Sequence, residues 1–199
     1  MPYKSPQVAL QKLKEGNARF VEGKSTHKDY KAQVQETSTG QFPFAIILSC
    51  IDSRSPSELI FDQGIGDIFN ARIAGNIVDE DVLGSMEFAC KVTGSKLILI
   101  MGHTNCGAIK GACDDVKMGN LTALLAKIKP AVDSVPGFEN KRNSNNDDFV
   151  DKVSKENVKL AMKNIRDNSP ILKKMIDNGE IFLVGSMYDV KTGKVTFYE

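Results

Sequence analysis

The sequence predicts an α/β protein in which a central, mainly parallel β-sheet is flanked by helices. Four nearly continuous apolar segments of strand length alternate with segments of helical periodicity, a pattern typical of parallel strands that are covered on both faces. The strand candidates are FPFAIILSC (42–50), DIFNARIAG (67–75), KLILIMGH (96–103) and EIFLVGSMYDV (180–190). With 199 residues, of which 41% are hydrophobic, the chain is long enough to build one domain over residues 1–199.

The two ends of the chain complete the predicted fold. Apolar residues in the segment 6–22 recur at roughly helical spacing, namely Val8, Leu13, Phe20 and Val21. We therefore expect an N-terminal helical arm over residues 1–35, with Gly16 as a weak point and an apolar stripe that needs a surface to cover, for example on another subunit. The terminal DVKTGKVTFYE predicts a turn at Thr192 and Gly193 that leads into a short antiparallel edge strand.

Composition excludes several classes of partner. The formal net charge is +1 and the lysines are scattered among acids, so neither nucleic acid nor an acidic membrane is an expected partner. No apolar stretch approaches the ~18 residues of a membrane span, and the N-terminal segment lacks the apolar block of a signal peptide. We expect a cytoplasmic protein. Four cysteines are too sparse for a disulfide scaffold, and Cys90 and Cys113 are expected to be small buried hydrophobic residues.

The first candidate site lies where a predicted strand gives way to a helix. In CIDSR (50–54) a thiol, a carboxylate and a guanidinium occupy alternate positions, and alternate residues of an extended segment share a face. The following SPSE predicts a helix with Ser55 as its N-cap and Pro56 at its first position. Cys50, Asp52 and Arg54 are therefore expected on one side of the chain, at the carboxyl end of a strand.

A second junction has the same form. LILIMGHTNCGA ends a strand at Gly102 and opens a helix near Asn105 or Cys106, and one helical turn brings His103 and Cys106 together. Because ligands of open parallel sheets bind at the carboxyl ends of strands, both junctions can face one crevice. Two thiolates and an imidazole are a set that zinc accepts, and a catalytic zinc keeps its fourth position for water or substrate.

Asp52 has two alternative roles in such a site. It can be a fourth ligand of the zinc, or it can pair with Arg54, whose charge keeps the carboxylate ionised and can hold it off the metal. The second histidine of the chain, His27, lies in a polar segment with lysines and is expected on the surface. A phosphatase loop fits less well, because the arginine that it needs is replaced by Pro56. The motifs of P-loops, dinucleotide sites and nucleophile elbows are not matched either.

At these residues the chain resembles the bacterial β-class carbonic anhydrases. That family carries Cys-x-Asp-x-Arg followed some fifty residues later by His-x-x-Cys-Gly, which CIDSR and HTNCG match here. The resemblance continues through ELIFDQGIGDIFNARIAGN (58–76), GSMEFACKVTGSKLILIMGH (84–103) and VGSMYDVKTGKVTF, so it covers most of the chain. It implies one zinc ion (Zn²⁺) per chain on Cys50, His103 and Cys106.

The resemblance also implies roles for the residues around the metal. Asp52 and Arg54 would be catalytic, with Asp52 a zinc ligand only in a closed form of the site. Members with a second, non-catalytic bicarbonate site carry a tryptophan where this chain has Ile47, so we expect the open form, with Asp52 paired to Arg54. The substrate-binding residues that the resemblance implies are Gln41, Phe69, Phe88 and Gly107.

The activity implied by the resemblance is the reversible hydration of carbon dioxide to bicarbonate and a proton by zinc-bound hydroxide. Two alternatives stay open at this point. The same zinc scaffold could hydrolyse another linear substrate such as carbon disulfide or carbonyl sulfide, or the zinc could be structural in a protein that is not an enzyme. The resemblance further implies a homodimer or homotetramer whose N-terminal arm embraces a neighbouring subunit.

Overall fold

A five-stranded β-sheet forms the centre of the structure, which is a computed structural model that describes residues 5–198. Its strands are β1 (Ala45–Ser49), β2 (Ile68–Arg72), β3 (Leu97–His103), β4 (Phe182–Tyr188) and β5 (Val195–Tyr198). They lie in the order β2-β1-β3-β4-β5. The first four are parallel, and β5 pairs antiparallel with β4 at the edge. The predicted α/β fold, its mainly parallel sheet and its antiparallel C-terminal edge strand are confirmed.

Helices cover both faces of this sheet. They are α1 (Pro6–Val21), α2 (Tyr30–Thr37), α3 (Ser57–Ile60), α4 (Glu80–Glu87), α5 (Gly107–Cys113), α6 (Gly119–Ala126), α7 (Lys129–Ser134), α8 (Asp147–Asn168) and α9 (Pro170–Asp177). A 3₁₀ turn (Ala74–Asn76) follows β2, and a π-helix (Phe88–Val92) continues α4. Within residues 5–198, no helix combines the length and the apolar content needed to cross a bilayer.

Alternate side chains of the buried strands pack into two separate hydrophobic cores, one on each face of the sheet. Ile47 and Leu99 pack on one face with residues of α1 and α3. Ile46 and Ile98 point to the opposite face and pack against α8, α9 and the π-helix. Because all residues of β1 and β3 are buried, these two strands form the rigid centre of the sheet, and residues at their carboxyl ends are held in fixed positions.

Two expectations about element limits need correction. The strand predicted over 42–50 begins only at Ala45, because Phe42 is exposed and Pro43 has no backbone N–H to donate to a ladder. The helix after Arg54 is capped by Pro56 and not by Ser55 as predicted, and it spans only Ser57–Ile60. Its start is shifted because the chain first turns between Asp52 and Ser55, where the Ser55 N–H donates to the Asp52 carbonyl at 2.9 Å.

The N-terminal helix packs on its own chain. The predicted stripe is partly wrong, since Val8 and Val21 are about half exposed. The buried face consists instead of Pro6, Ala9, Leu10, Leu13, Gly16 and Asn17. Gly16 is not a weak point, because a Cβ there would lie 1.8 Å from the Phe61 carbonyl oxygen, so the close approach of α1 to the core requires glycine. In the predicted arm over 1–35, residues 1–4 lie outside the described part of the chain.

A buried carboxylate fastens the segment between α1 and α2 to the core. Asp62 is 5% exposed and accepts hydrogen bonds from Arg19 Nε at 2.6 Å, from the Thr26 N–H at 3.2 Å and from Lys28 Nζ. Burial raises the pKa of Asp62, but the hydrogen bonds from Lys28 and Arg19 outweigh it and lower the pKa to about 2. Beyond this anchor the chain continues into α2, which has no buried residue.

Candidate metal centre

Three side chains with metal-ligating atoms meet at the carboxyl end of the sheet. Cys50 directly follows β1, His103 is the last residue of β3, and Cys106 is the N-cap of α5. Because β1 and β3 are adjacent and parallel, with Ser49 opposite Met101, their ends bring the two predicted junctions into one crevice. The three ligand atoms lie within 4.8 Å of one another, and all three residues are buried.

The geometry and the donor set fit zinc. The Cys50 and Cys106 sulfurs are 3.9 Å apart, close to the separation of about 3.8 Å that two thiolates have at 2.3 Å from a tetrahedral zinc. His103 Nδ1 donates to the Thr104 carbonyl at 2.9 Å, which leaves the lone pair on Nε2. That nitrogen is buried and has no hydrogen-bond partner within residues 5–198. A buried polar atom of this kind needs a partner, and a metal ion between the two sulfurs provides one.

The two sulfurs also have the electrostatics of a metal site. Without a metal, the contact between the two sulfurs, in which either can be the donor, lowers the pKa of Cys50, whereas the same contact and burial raise the pKa of Cys106. A divalent cation would be held by both sulfurs as thiolates, because the thiolate is the ligand form of cysteine. Cys90 differs, since burial alone raises its pKa to about 12 and it stays a buried thiol as predicted. The same expectation was wrong for Cys113, which is only half-buried because it is the last residue of the short helix α5.

Asp52 and Arg54 form a tightly bonded pair beside these ligands. Arg54 Nε donates to Asp52 Oδ1 at 2.9 Å, and Nη2 donates to Oδ2 at 2.7 Å. The Arg54 backbone N–H adds a third bond to Oδ1 at 3.0 Å. These hydrogen bonds lower the pKa of Asp52 to about 2. The carboxylate is therefore ionised. It is also adjacent to the metal position, because Asp52 Oδ2 lies 3.9 Å from His103 Nε2.

Further backbone contacts hold the two loops that carry these residues, and sequence reasoning missed them. Arg72, the last residue of β2, donates from Nε to the Cys50 carbonyl at 3.1 Å and from Nη2 to the Asp52 carbonyl at 2.6 Å. Arg54 Nη2 reaches the Asn105 carbonyl at 3.4 Å. The role of Arg72 could have been inferred only from the pairing of β2 with β1, because Arg72 lies opposite Ser49 in the strand register.

The four residues expected to bind substrate are not all at this centre. Gly107 is the first residue of α5 and directly follows Cys106. Phe69 and Phe88 pack edge to face, with ring centroids 6.2 Å apart, in a separate cavity of about 580 Å³. Phe69 lies opposite Ile46, four residues before Cys50, which places it about 13 Å away along the sheet at the rise of a strand.

Gln41 lies farther from the metal ligands. It precedes β1 and is exposed, whereas the ligands follow the carboxyl end of that strand. Within one chain, Gln41, Phe69 and Phe88 are therefore near the amino-terminal half of the sheet and do not meet the Cys50 sulfur. His27, which was expected on the surface, is exposed.

The fold and the site together define an α/β metalloprotein whose centre is built from two cysteines and one histidine. The sequence model of the carbonic anhydrase family matches residues 45–195, and the chain belongs to that family, in its β class. It is 35% identical to carbonic anhydrase 2 of Mycobacterium tuberculosis over 98% of this chain and 93% of that protein.

Solved structures agree with this assignment. The β-carbonic anhydrase CafA of Aspergillus fumigatus superposes with a TM-score of 0.73 at 26% identity, covering 97% of this chain and 90% of that one. A tetrameric β-carbonic anhydrase of Sordaria macrospora superposes with a TM-score of 0.70 at 23% identity, over 84% of this chain and 89% of that one. The second comparison supports the fold alone.

Proposed function

We propose that this chain is a zinc-dependent carbonic anhydrase, which converts carbon dioxide and water reversibly into bicarbonate and a proton. The observation that carries the proposal is the convergence of Cys50, His103 and Cys106, whose ligand atoms lie within 4.8 Å of one another, beside the Asp52–Arg54 pair. The membership of the carbonic anhydrase family supports the same reaction.

Each residue has a defined role in this reaction. Cys50 Sγ, His103 Nε2 and Cys106 Sγ would hold the zinc. When bound, zinc lowers the pKa of water from 15.7 toward ~7 and so supplies a hydroxide nucleophile near neutral pH. Asp52 is ionised and would accept a hydrogen bond from the O–H group of the nucleophile, which would orient an oxygen lone pair toward carbon dioxide. Arg54 fixes the orientation of Asp52 through its two side-chain hydrogen bonds.

The surroundings of the centre favour a catalytic zinc over a structural one. A structural zinc is closed by four protein ligands, whereas three are assembled here and the nearest carboxylate is bonded to Arg54. The Asp52 side chain is 16% exposed and that of Arg54 is 47% exposed. The side of the site facing Asp52 is therefore reachable by solvent and by a small substrate.

The remaining substrate-binding residues are proposed to come from a second copy of the chain. Gln41 is exposed and Phe88 is 49% exposed. Phe42 is also exposed, and so are Tyr30 and Val34 of α2. A second copy would cover this apolar surface and bring Gln41, Phe69 and Phe88 of one chain to the metal of the other, in a dimer or tetramer. The Sordaria macrospora protein is tetrameric by its description.

A cytoplasmic location belongs to the same proposal. All four cysteines are free thiols in the structure, which suits a reducing compartment. The metal ligands Cys50 and Cys106 would be lost to a disulfide under oxidising conditions, since their sulfurs already lie 3.9 Å apart.

Stopped-flow measurement of carbon dioxide hydration tests the function. The protein is assayed as purified, after removal of metal by a chelator, and after addition of zinc back to the chelated sample. We expect activity to disappear with the metal and to return with zinc. A zinc-replete protein that hydrates carbon dioxide no faster than buffer would refute the proposal, and carbon disulfide and carbonyl sulfide would then be assayed on the same samples.

A further inference from the structure

The sulfur of Cys50 accepts a hydrogen bond from a backbone amide that belongs to another part of the sheet. The Gly75 N–H donates to Cys50 Sγ at 3.4 Å, in a buried contact. Gly75 lies in the 3₁₀ turn after β2 and has φ 67° and ψ 18°, a left-handed conformation that only glycine adopts without cost. A Cβ there would also lie 2.5 Å from Ile128 Cδ1. The amide is therefore aimed at the sulfur by a conformation and a packing that both require glycine.

That conformation is held from the other side by a buried amide side chain. Asn157 Nδ2 donates to the Gly75 carbonyl at 2.7 Å. Asn157 lies in the middle of α8 and is 2% exposed. A buried asparagine inside a helix is unfavourable unless its amide is bonded, and its donor group is directed at the residue whose N–H lies 3.4 Å from the Cys50 sulfur.

We propose that Asn157 is a positioning residue for the metal site, which acts through Gly75 on the Cys50 sulfur. Its amide holds the Gly75 carbonyl, and because this fixes the φ and ψ of Gly75 it keeps the Gly75 N–H directed at Cys50 Sγ. Donation from the N–H draws charge from the thiolate, so the sulfur gives less charge to the metal and the metal becomes a stronger Lewis acid. Hydrogen bonds of this kind to metal ligands orient the ligand and tune the metal.

The proposal rests on the metal site proposed above, but its readouts do not depend on turnover. Cobalt(II) replaces zinc in the test, because its thiolate-to-metal charge-transfer band reports the energy of the sulfur lone pair. Loss of the N–H donation raises that energy and moves the band to longer wavelength. Loss of positioning also weakens zinc binding, by roughly 10- to 100-fold for outer residues of this kind, which competition with a chelator measures.

The test variant is Asn157→Leu, which keeps the number and branching of the side-chain heavy atoms and removes the amide. Asn157→Ser is the second variant. The serine hydroxyl is too short to reach the Gly75 carbonyl, and the smaller side chain avoids crowding if Asn157→Leu does not fold. Ser154→Ala is the matched control. Ser154 is on the same helix, is equally buried at 2% exposed, and bonds only to its own helix, at the Val150 carbonyl.

We expect either Asn157 variant to shift the cobalt band to longer wavelength and to weaken zinc binding, with Ser154→Ala unchanged in both. Unaltered band and affinity in the Asn157 variants would overturn the proposal, as would equal changes in the Ser154→Ala control. In cadmium-substituted wild-type protein we also expect a scalar coupling between the metal nucleus and the Gly75 amide proton. Its absence would overturn the hydrogen bond from the Gly75 N–H to Cys50 Sγ, on which the proposal depends. If the wild-type protein binds none of these metals, the proposed function fails as well.

Discussion

Arg54→Ala offers the sharpest test of how the carboxylate and the metal are kept apart. In the wild-type protein Arg54 makes two side-chain hydrogen bonds to Asp52, of 2.9 and 2.7 Å. The third bond, from the Arg54 backbone N–H, would survive the substitution. Truncation therefore releases the carboxylate only partly, and the freed oxygens are next to the position that water should occupy on the metal.

The size of the effect follows from these contacts. Charge-assisted hydrogen bonds contribute about 1.5 to 3 kcal/mol when shielded, and because the Arg54 side chain is 47% exposed we take about 1 kcal/mol for each. Two bonds then bias Asp52 toward Arg54 by about 2 kcal/mol, which is roughly a 30-fold change in population. We expect kcat/KM for carbon dioxide hydration to fall by up to about 30-fold while the zinc content stays at one per chain.

Stopped-flow kinetics and metal analysis on the same samples measure both quantities. Arg54→Lys should be intermediate, because lysine keeps the charge but not the two-pronged geometry. Arg166→Ala serves as the control, since Arg166 is an exposed arginine paired to Asp177 away from the site. Loss of zinc from Arg54→Ala, or activity within threefold of the wild type, would refute the reasoning.

Two further predictions concern the metal ligands and the buried ion pair. Cys106→Ser should lose zinc and activity, whereas Cys90→Ser, which removes an equally buried thiol outside the cluster, should keep both; zinc analysis decides, and full zinc in the first variant would contradict the ligand set. Asp62→Asn should lower the free energy of unfolding by roughly 2 to 3 kcal/mol, and Asp177→Asn, at an exposed ion pair, should lower it much less. Because the pKa of Asp62 is lowered to about 2, urea unfolding should show this difference in full above about pH 4 and progressively less as the pH falls toward 2; a difference that grows with acid would contradict the assignment.

The strands and the metal ligands were predictable because they depend on local pattern. Apolar runs of strand length set β1 and β3, and the rule that parallel strands present ligands at their carboxyl ends placed Cys50 beside His103. Periodicity predicted α1 less well. Val8 matches the helical spacing but faces solvent, because the close approach at Gly16 decides which side of α1 is buried.

The contacts that were missed all join residues far apart in sequence. Arg72 bonds to the carbonyls of Cys50 and Asp52 only because β2 lies beside β1, and strand order cannot be read from hydrophobic periodicity. The bond from Asn157 to Gly75 spans 82 positions. The shifted start of α3 has a different cause. Ser55 is a residue type that commonly caps helices, but here it ends the turn that starts at Asp52, and its buried hydroxyl has no hydrogen-bond partner within residues 5–198.

The proposed shared site predicts that assembly is part of catalysis. Gln41 precedes β1 whereas Cys106 lies beyond the opposite end of the sheet, so on this proposal a chain that lacks one should be complemented by a chain that lacks the other. Gln41→Ala and Cys106→Ser are each expected to be impaired alone. After the two are unfolded and refolded together, half of the dimers are mixed and each has one intact site, so roughly a quarter of wild-type activity should return. Stopped-flow assays of the mixture and of each variant refolded alone make the comparison. If the mixture shows only the average of the two variants, Gln41 acts on the metal of its own chain or on neither, and the shared site is wrong.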